Sequence, residues 1–182
     1  MNGSIILPGA LVELCVAPKE EIRYYLQWPY LDLREPGSPM LVATNGKNLL
    51  AAPVVVEGEL VSCSLPLEAI AYARRYPTPR LTFSGEMCGT DEAMFRIPDN
   101  DSKYPLWRKL VDGAPNGPGD IGIGASLLDM LHRALGENRY NGVTLTVSRK
   151  KDGSIDPAGV VRVRSTSGEN ADAIALLMPM RI

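Results

Sequence analysis

An α+β fold assembled from repeated strand-helix-strands units is what this sequence predicts, and three observations carry it. Two segments set apolar residues at helical spacing, and most of the remainder alternates at the period of half-buried strands. The same order of elements then recurs at an interval of about 55 residues, the mark of like modules. With 17 glycines, 15 prolines and only 6% aromatic residues, the elements are expected to be short and joined by tight turns.

In chain order, a short apolar patch, Ile5-Ile6-Leu7, precedes an abridged helix expected from Ala10 to Val16. Strands follow at Tyr24 to Leu33, Met40 to Thr44 and Asn48 to Val56. Asn45-Gly46 between the last two predicts a two-residue hairpin, since both residues adopt positive φ readily. Glu59 to Ser64 leads into a helix over Leu65 to Tyr76, with Ser64 as N-cap, Pro66 in the first turn and Glu68 after it. Leu67, Ile70 and Ala71 form its apolar stripe, and Pro77 and Pro79 stop it. Strands are expected again at Leu81 to Ser84 and Ala93 to Pro98.

The run from Asp112 to Asp120 reads as a linker. Gly119 to Gly124 leads into a second helix, Ala125 to Leu135, in which Leu127, Leu131 and Leu135 fall at steps of four with Leu128 beside them. Gly136 ends it as a C′ residue would. Three strands complete the unit: Val143 to Ser148, Val160 to Ser165 and Ala173 to Met178, with a turn at Lys151-Asp152-Gly153-Ser154. These boundaries give a domain of two half-repeats over 1–113, a linker over 112–120 and a further half-repeat over 119–182.

Composition narrows the function. Apolar residues make up 45% of the 182, charged ones 22%, and the formal net charge is -2, so the chain is globular and has no global attraction for nucleic acid. Cys15, Cys63 and Cys88 form no C-x-x-C pair, which points to free thiols rather than a zinc site or disulfide framework. No run is long enough to span a bilayer and no secretory leader is visible, so a soluble, cytoplasmic protein without membrane contact is expected. One histidine, no G-x-S-x-G, no Walker loop and no metal-ligand spacing argue against an enzyme, and no metal or cofactor is expected. The glycines of 119–124 precede a helix, but their spacing fits a tight turn and not a phosphate loop.

Three motifs resemble the bacterial DNA polymerase III β subunit family, the sliding clamps. Glu21-Ile22-Arg23-Tyr24-Tyr25-Leu26, followed by Leu41-Val42-Ala43-Thr44-Asn45-Gly46, looks like the family's E-T-R-x-x-L strand and V-A-T-D-G-H-R-L-A hairpin. Tyr104-Pro105-Leu106-Trp107-Arg108-Lys109-Leu110 looks like the F-P-D-Y-R-R-V that ends a clamp domain. Met178-Pro179-Met180-Arg181-Ile182 is similar to the family's M-P-M-R-L terminus. In the hairpin, Asn45 replaces the acid, Lys47 the histidine and Asn48 the arginine.

The resemblance implies DNA-clamp-like modules, each with helix packed on antiparallel sheet, in a chain shorter than a full clamp. It also implies a pocket for clamp-binding peptides of polymerase, loader or repair proteins, walled by Thr44, Gly46, Leu49, Leu176, Met178, Pro179, Met180 and Arg181. Read from residue chemistry alone, the terminal run either completes a core as a last strand or lines a groove, where methionine adapts to varied apolar partners. DNA-facing candidates are Arg74, Arg75 and Arg80 near the first helix, and Arg133 and Arg139 with His132 near the second. Long basic side chains would meet phosphates of duplex DNA without reading sequence, although the helix dipole alone also favours cations at those ends. The expectation is therefore a clamp-like processivity or docking factor in replication or repair, with a homo-oligomer covering open sheet edges. A stand-alone interaction module that no longer encircles DNA is the alternative.

Overall fold

The computed structural model describes residues 1–99, 104–112, 125–135, 143–153, 156, 159–166, 170 and 172–178. Two antiparallel sheets, three α-helices and two 3-10 turns fill them, an α+β arrangement as the sequence predicts. The strands are β1 (Asn2–Ile6), β2 (Tyr30–Asp32), β3 (Met40–Thr44), β4 (Asn48–Pro53), β5 (Val55–Glu59), β6 (Cys63–Ser64), β7 (Arg80–Ser84), β8 (Met87–Gly89), β9 (Met94–Arg96), β10 (Val143–Thr146), β11 (Val161–Ser165) and β12 (Ile174–Leu177). The helices are α1 (Leu67–Ala73), α2 (Trp107–Asp112) and α3 (Ala125–Ala134). One sheet, A, runs β5-β1-β7-β8-β9; the other, B, runs β10-β11-β12-β4-β3-β2-β6.

Strands β3 and β4 are buried on both faces, which is why they read as nearly continuous apolar runs. Leu41, Ala43, Leu50 and Ala52 point into the main core with Ile5, Leu81 and Phe83 of sheet A and Ile70, Leu131 and Ala134 of the helices. Met40, Val42, Leu49 and Ala51 point the other way, into a second cluster with Leu26, Tyr104, Trp107 and Leu176. One sheet thus serves two cores.

Several local expectations are corrected. The strand expected over Tyr24 to Leu33 is a 3-10 turn, Tyr24–Leu26, followed by the three-residue β2. Pro29 lies between them, and a proline cannot donate to a ladder. The run Asn48 to Val56 is split: Pro53 closes β4, and the chain then enters sheet A as β5. The first full helix starts at Leu67 with Pro66, not Ser64, at the N-cap position, because a residue preceding proline is pushed out of helical conformation. Ser64 belongs to β6. The abridged helix is a 3-10 turn at Val12–Cys15.

Three elements were not expected at all, among them β8, which joins β7 to β9 in sheet A. The apolar patch Ile5-Ile6 lies in β1, an inner strand of sheet A between β5 and β7. Trp107 to Asp112 forms a short helix that reaches into the expected linker; residues 113–120 of that linker, the glycine-rich 119–124 and Gly136 lie outside the described residues.

Candidate functional site

Strands β3 and β4 end in a turn longer than two residues: the last registered pair is Thr44 with Leu49. Among the described residues only glycines take positive φ, so Gly46, at 82°, does so and Asn45 does not. The Asn45 side chain works differently, its Oδ1 accepting the N–H groups of Lys47 and Asn48 at 3.0 Å each. Thr44 Oγ1 accepts the Gly46 N–H at 3.1 Å and donates to the Asn48 carbonyl at 2.6 Å. Such side-chain bonds fix the loop where the ladder stops.

The terminal strand lies along this hairpin. β12 pairs with β4 so that Leu176 is opposite Leu49, and the Met178 N–H donates to the Lys47 carbonyl at 2.8 Å. Thr44, Gly46, Leu49, Leu176 and Met178 are therefore brought together, whereas Pro179, Met180 and Arg181 lie outside the described residues. Leu49 and Leu176 are only 2% and 1% exposed, packed in the cluster with Leu26, Tyr104 and Trp107. Tyr25, Val160 and Ile174 form its partly open margin.

Arg23 caps the hairpin tip. A Cβ at Gly46 would fall 2.8 Å from its guanidinium, so the glycine answers a close approach as well as its φ. Arg23 donates to both carboxylate oxygens of Glu21, at 2.9 and 3.1 Å, and those hydrogen bonds lower the Glu21 pKa to about 2. Both residues stand in the E-x-R motif, which was the available signal for them.

On the same face, Asp32 pins the segment 104–108 to the sheet. It is fully buried, accepts the Trp107 indole N–H at 2.7 Å and receives Arg34 at 2.8 and 2.9 Å. Arg34 also donates to the carbonyls of Tyr104 and Pro105, while Arg108 reaches the Ser38 carbonyl and Glu35. Burial pushes the Asp32 pKa up, but the hydrogen bonds from Arg34 and Trp107 outweigh it and leave the carboxyl below its usual range. No single motif in the sequence joins Asp32 to a tryptophan 75 positions away.

The basic candidates are dispersed. Arg74 is committed to Glu13 at 3.0 Å and to the carbonyls of Pro8 and Ala10, tying α1 to the Val12–Cys15 turn. Arg75 is exposed and stacks on the Tyr72 ring at 4.0 Å. Arg80 alternates with core residue Leu81, so it lies on the face of sheet A away from that core, paired with Glu57 and Ser4. Arg133 pairs with Asp129 one turn earlier at 2.8 Å, and the half-buried His132 lies beside it; Arg139 is outside the described residues. Burial raises the thiols of Cys15, Cys63 and Cys88 to about 12, which keeps them protonated near neutral pH.

Solved structures place this architecture. The β sliding clamp of Caulobacter crescentus matches over 98% of this chain and 66% of its own at 17% identity, TM-score 0.53. The sliding clamp of Bacillus subtilis matches over 99% and 64% at 12% identity, TM-score 0.54. The DNA polymerase III β subunit of Pseudomonas aeruginosa matches over 100% and 66% at 15% identity, TM-score 0.56.

The chain has the sliding-clamp fold.

It spans 64 to 66% of the length of those clamps. No protein-family model and no curated protein matches the sequence. The hairpin that carries part of the clamp resemblance and the strand leading into the Met178 motif are thus neighbours in a clamp fold. Among the described residues no helix is long and apolar enough to cross a membrane.

Proposed function

We propose that this chain is a clamp-like docking factor in DNA replication or repair, without enzymatic activity, that receives short peptides of polymerase, loader or repair proteins beside its β3–β4 hairpin. The observation that carries this reading is the pairing of β12 with β4, which sets Leu176 and Met178 against the hairpin. An extended peptide with Leu or Phe anchors would seat against Met178 and the margin of the cluster around Leu49 and Leu176. Displacement of Tyr25 would deepen that seat, since it is only partly buried.

DNA contact, in this reading, falls to Arg75, Arg133 and Arg139 as sequence-independent phosphate contacts. The pairing of Arg74 with Glu13, Arg80 with Glu57 and Arg133 with Asp129 favours a second reading, an interaction module that binds peptides but does not encircle duplex. Both readings place the peptide at the same site.

Fluorescence anisotropy with a labelled Leu/Phe-rich peptide tests it. Binding to the full chain is expected, with affinity reduced about tenfold or more by Met178→Glu, as one buried anchor contact implies. Equal affinity for the variant, or no binding by either protein, would overturn the groove.

A further inference from the structure

The face of sheet B that bears Leu49 and Leu176 continues past β12 onto β11. Residues directly opposite in an antiparallel pair point to the same face, and Arg162 is opposite Leu176. Arg164, two residues further, shares that face, while Val161 and Val163 alternate with them into the main core. Here the face opens into a cavity of about 190 Å³ lined by Arg162, Arg164, Asp172, Ala173 and Ile174.

Two properties of this cavity bear on what it could hold. Arg162 Nε is buried with no hydrogen-bond partner, an unmet donor on a cation. Asp172 lines the cavity too, yet no ion pair among the described residues joins it to either arginine. Two arginines beside a single carboxylate leave this cavity with an excess of positive charge, which suits an added carboxylate.

We infer that Arg162 and Arg164 receive an acidic side chain of the peptide docked in the groove, an inference that rests on the groove reading above. Adjacent strands lie about 4.8 Å apart and an extended peptide advances about 3.3 Å per residue. An acid one or two residues from the apolar anchor at Leu176 therefore falls within reach of both arginines. The site selects acidic over neutral peptides of the same apolar pattern.

The test uses two labelled peptides that share a Leu-Phe anchor and differ only in Glu or Gln two residues away, titrated against the full chain and the double variant Arg162→Gln/Arg164→Gln. The Glu peptide is expected to bind about five- to tenfold more tightly than the Gln peptide at low salt. That preference should vanish in the double variant, which keeps the wild-type affinity for the Gln peptide. Equal binding of both peptides to the wild-type chain overturns the acidic subsite and leaves the groove standing; it decides the matter even where the double variant fails to fold. Failure of both peptides to bind overturns groove and subsite together. Loss of duplex-DNA affinity in the double variant, with the peptide preference intact, reassigns the arginines to phosphate and overturns the inference.

Discussion

A single buried carboxylate organises the second core. Asp32 has three hydrogen bonds from Arg34, two from its guanidinium and one from its backbone N–H, and one from the Trp107 indole, so the strand that carries it and the segment 104–108 behave as one body. Asp32→Asn keeps the shape but removes the charge that compensates Arg34. Breaking a buried pair costs about 3–5 kcal/mol, and the low end is expected because water screens the part-exposed Arg34. The pH dependence has a definite sign. With its folded pKa below the unfolded value of about 3.9, Asp32 stabilises the fold fully above that value and loses the effect as pH falls through the folded pKa. Chemical denaturation across pH 2–7 should therefore give a steeper acid loss for the wild type than for Asp32→Asn; parallel curves would contradict the role assigned to this residue.

The hairpin concentrates the next prediction in one glycine. Gly46 combines φ of 82° with the Arg23 guanidinium where a Cβ would lie, whereas Gly37 has φ of 75° and open space around it. A left-handed non-glycine residue costs about 1–2 kcal/mol, so Gly37→Ala should lower Tm by about 2–8 °C. Gly46→Ala should exceed that, and should raise the Glu21 carboxyl pKa from about 2 toward an ordinary glutamate as Arg23 is displaced. Carbon-detected NMR titration of Glu21 checks it; an unmoved midpoint would mean that Arg23 accommodates the methyl group.

Legibility followed the reach of each element's determinants. β3, β4, β12 and α3 were readable because their burial is written in local apolar patterns. β1 was not, because Asn2, Gly3 and Ser4 carry little strand propensity and the strand exists through its partners β5 and β7. Nor was the 3-10 turn at Tyr24–Leu26, where aromatic residues favour strands but Pro29 interrupts one. In the candidate site, Thr44, Leu49 and Leu176 came from motif likeness, while Arg162 and Arg164 became visible only once register put them beside Leu176.

At the scale of the molecule, each sheet ends, among the described residues, in open strands: β5 and β9 in sheet A, β10 and β6 in sheet B. Unpaired backbone groups at such edges invite pairing with a second chain, and Val55 on β5 is more than half exposed. Light scattering of the purified chain is expected to give a mass of at least two chains at micromolar concentration. A monomer at every concentration would rule out encirclement of duplex by a homo-oligomer and leave the interaction module.

The seam between β4 and β12 also has a meaning in time. About 120 residues separate Pro53 from Ile174, and at roughly 5–20 residues per second a ribosome takes about 6–24 s to make them. Throughout that interval β4 has emerged with its apolar ladder unpaired on one side, a naked edge awaiting the strand that will cover it. The nascent chain is thus open to chaperone capture or aggregation at the hairpin of the proposed docking site. Slow synthesis should lengthen that exposure.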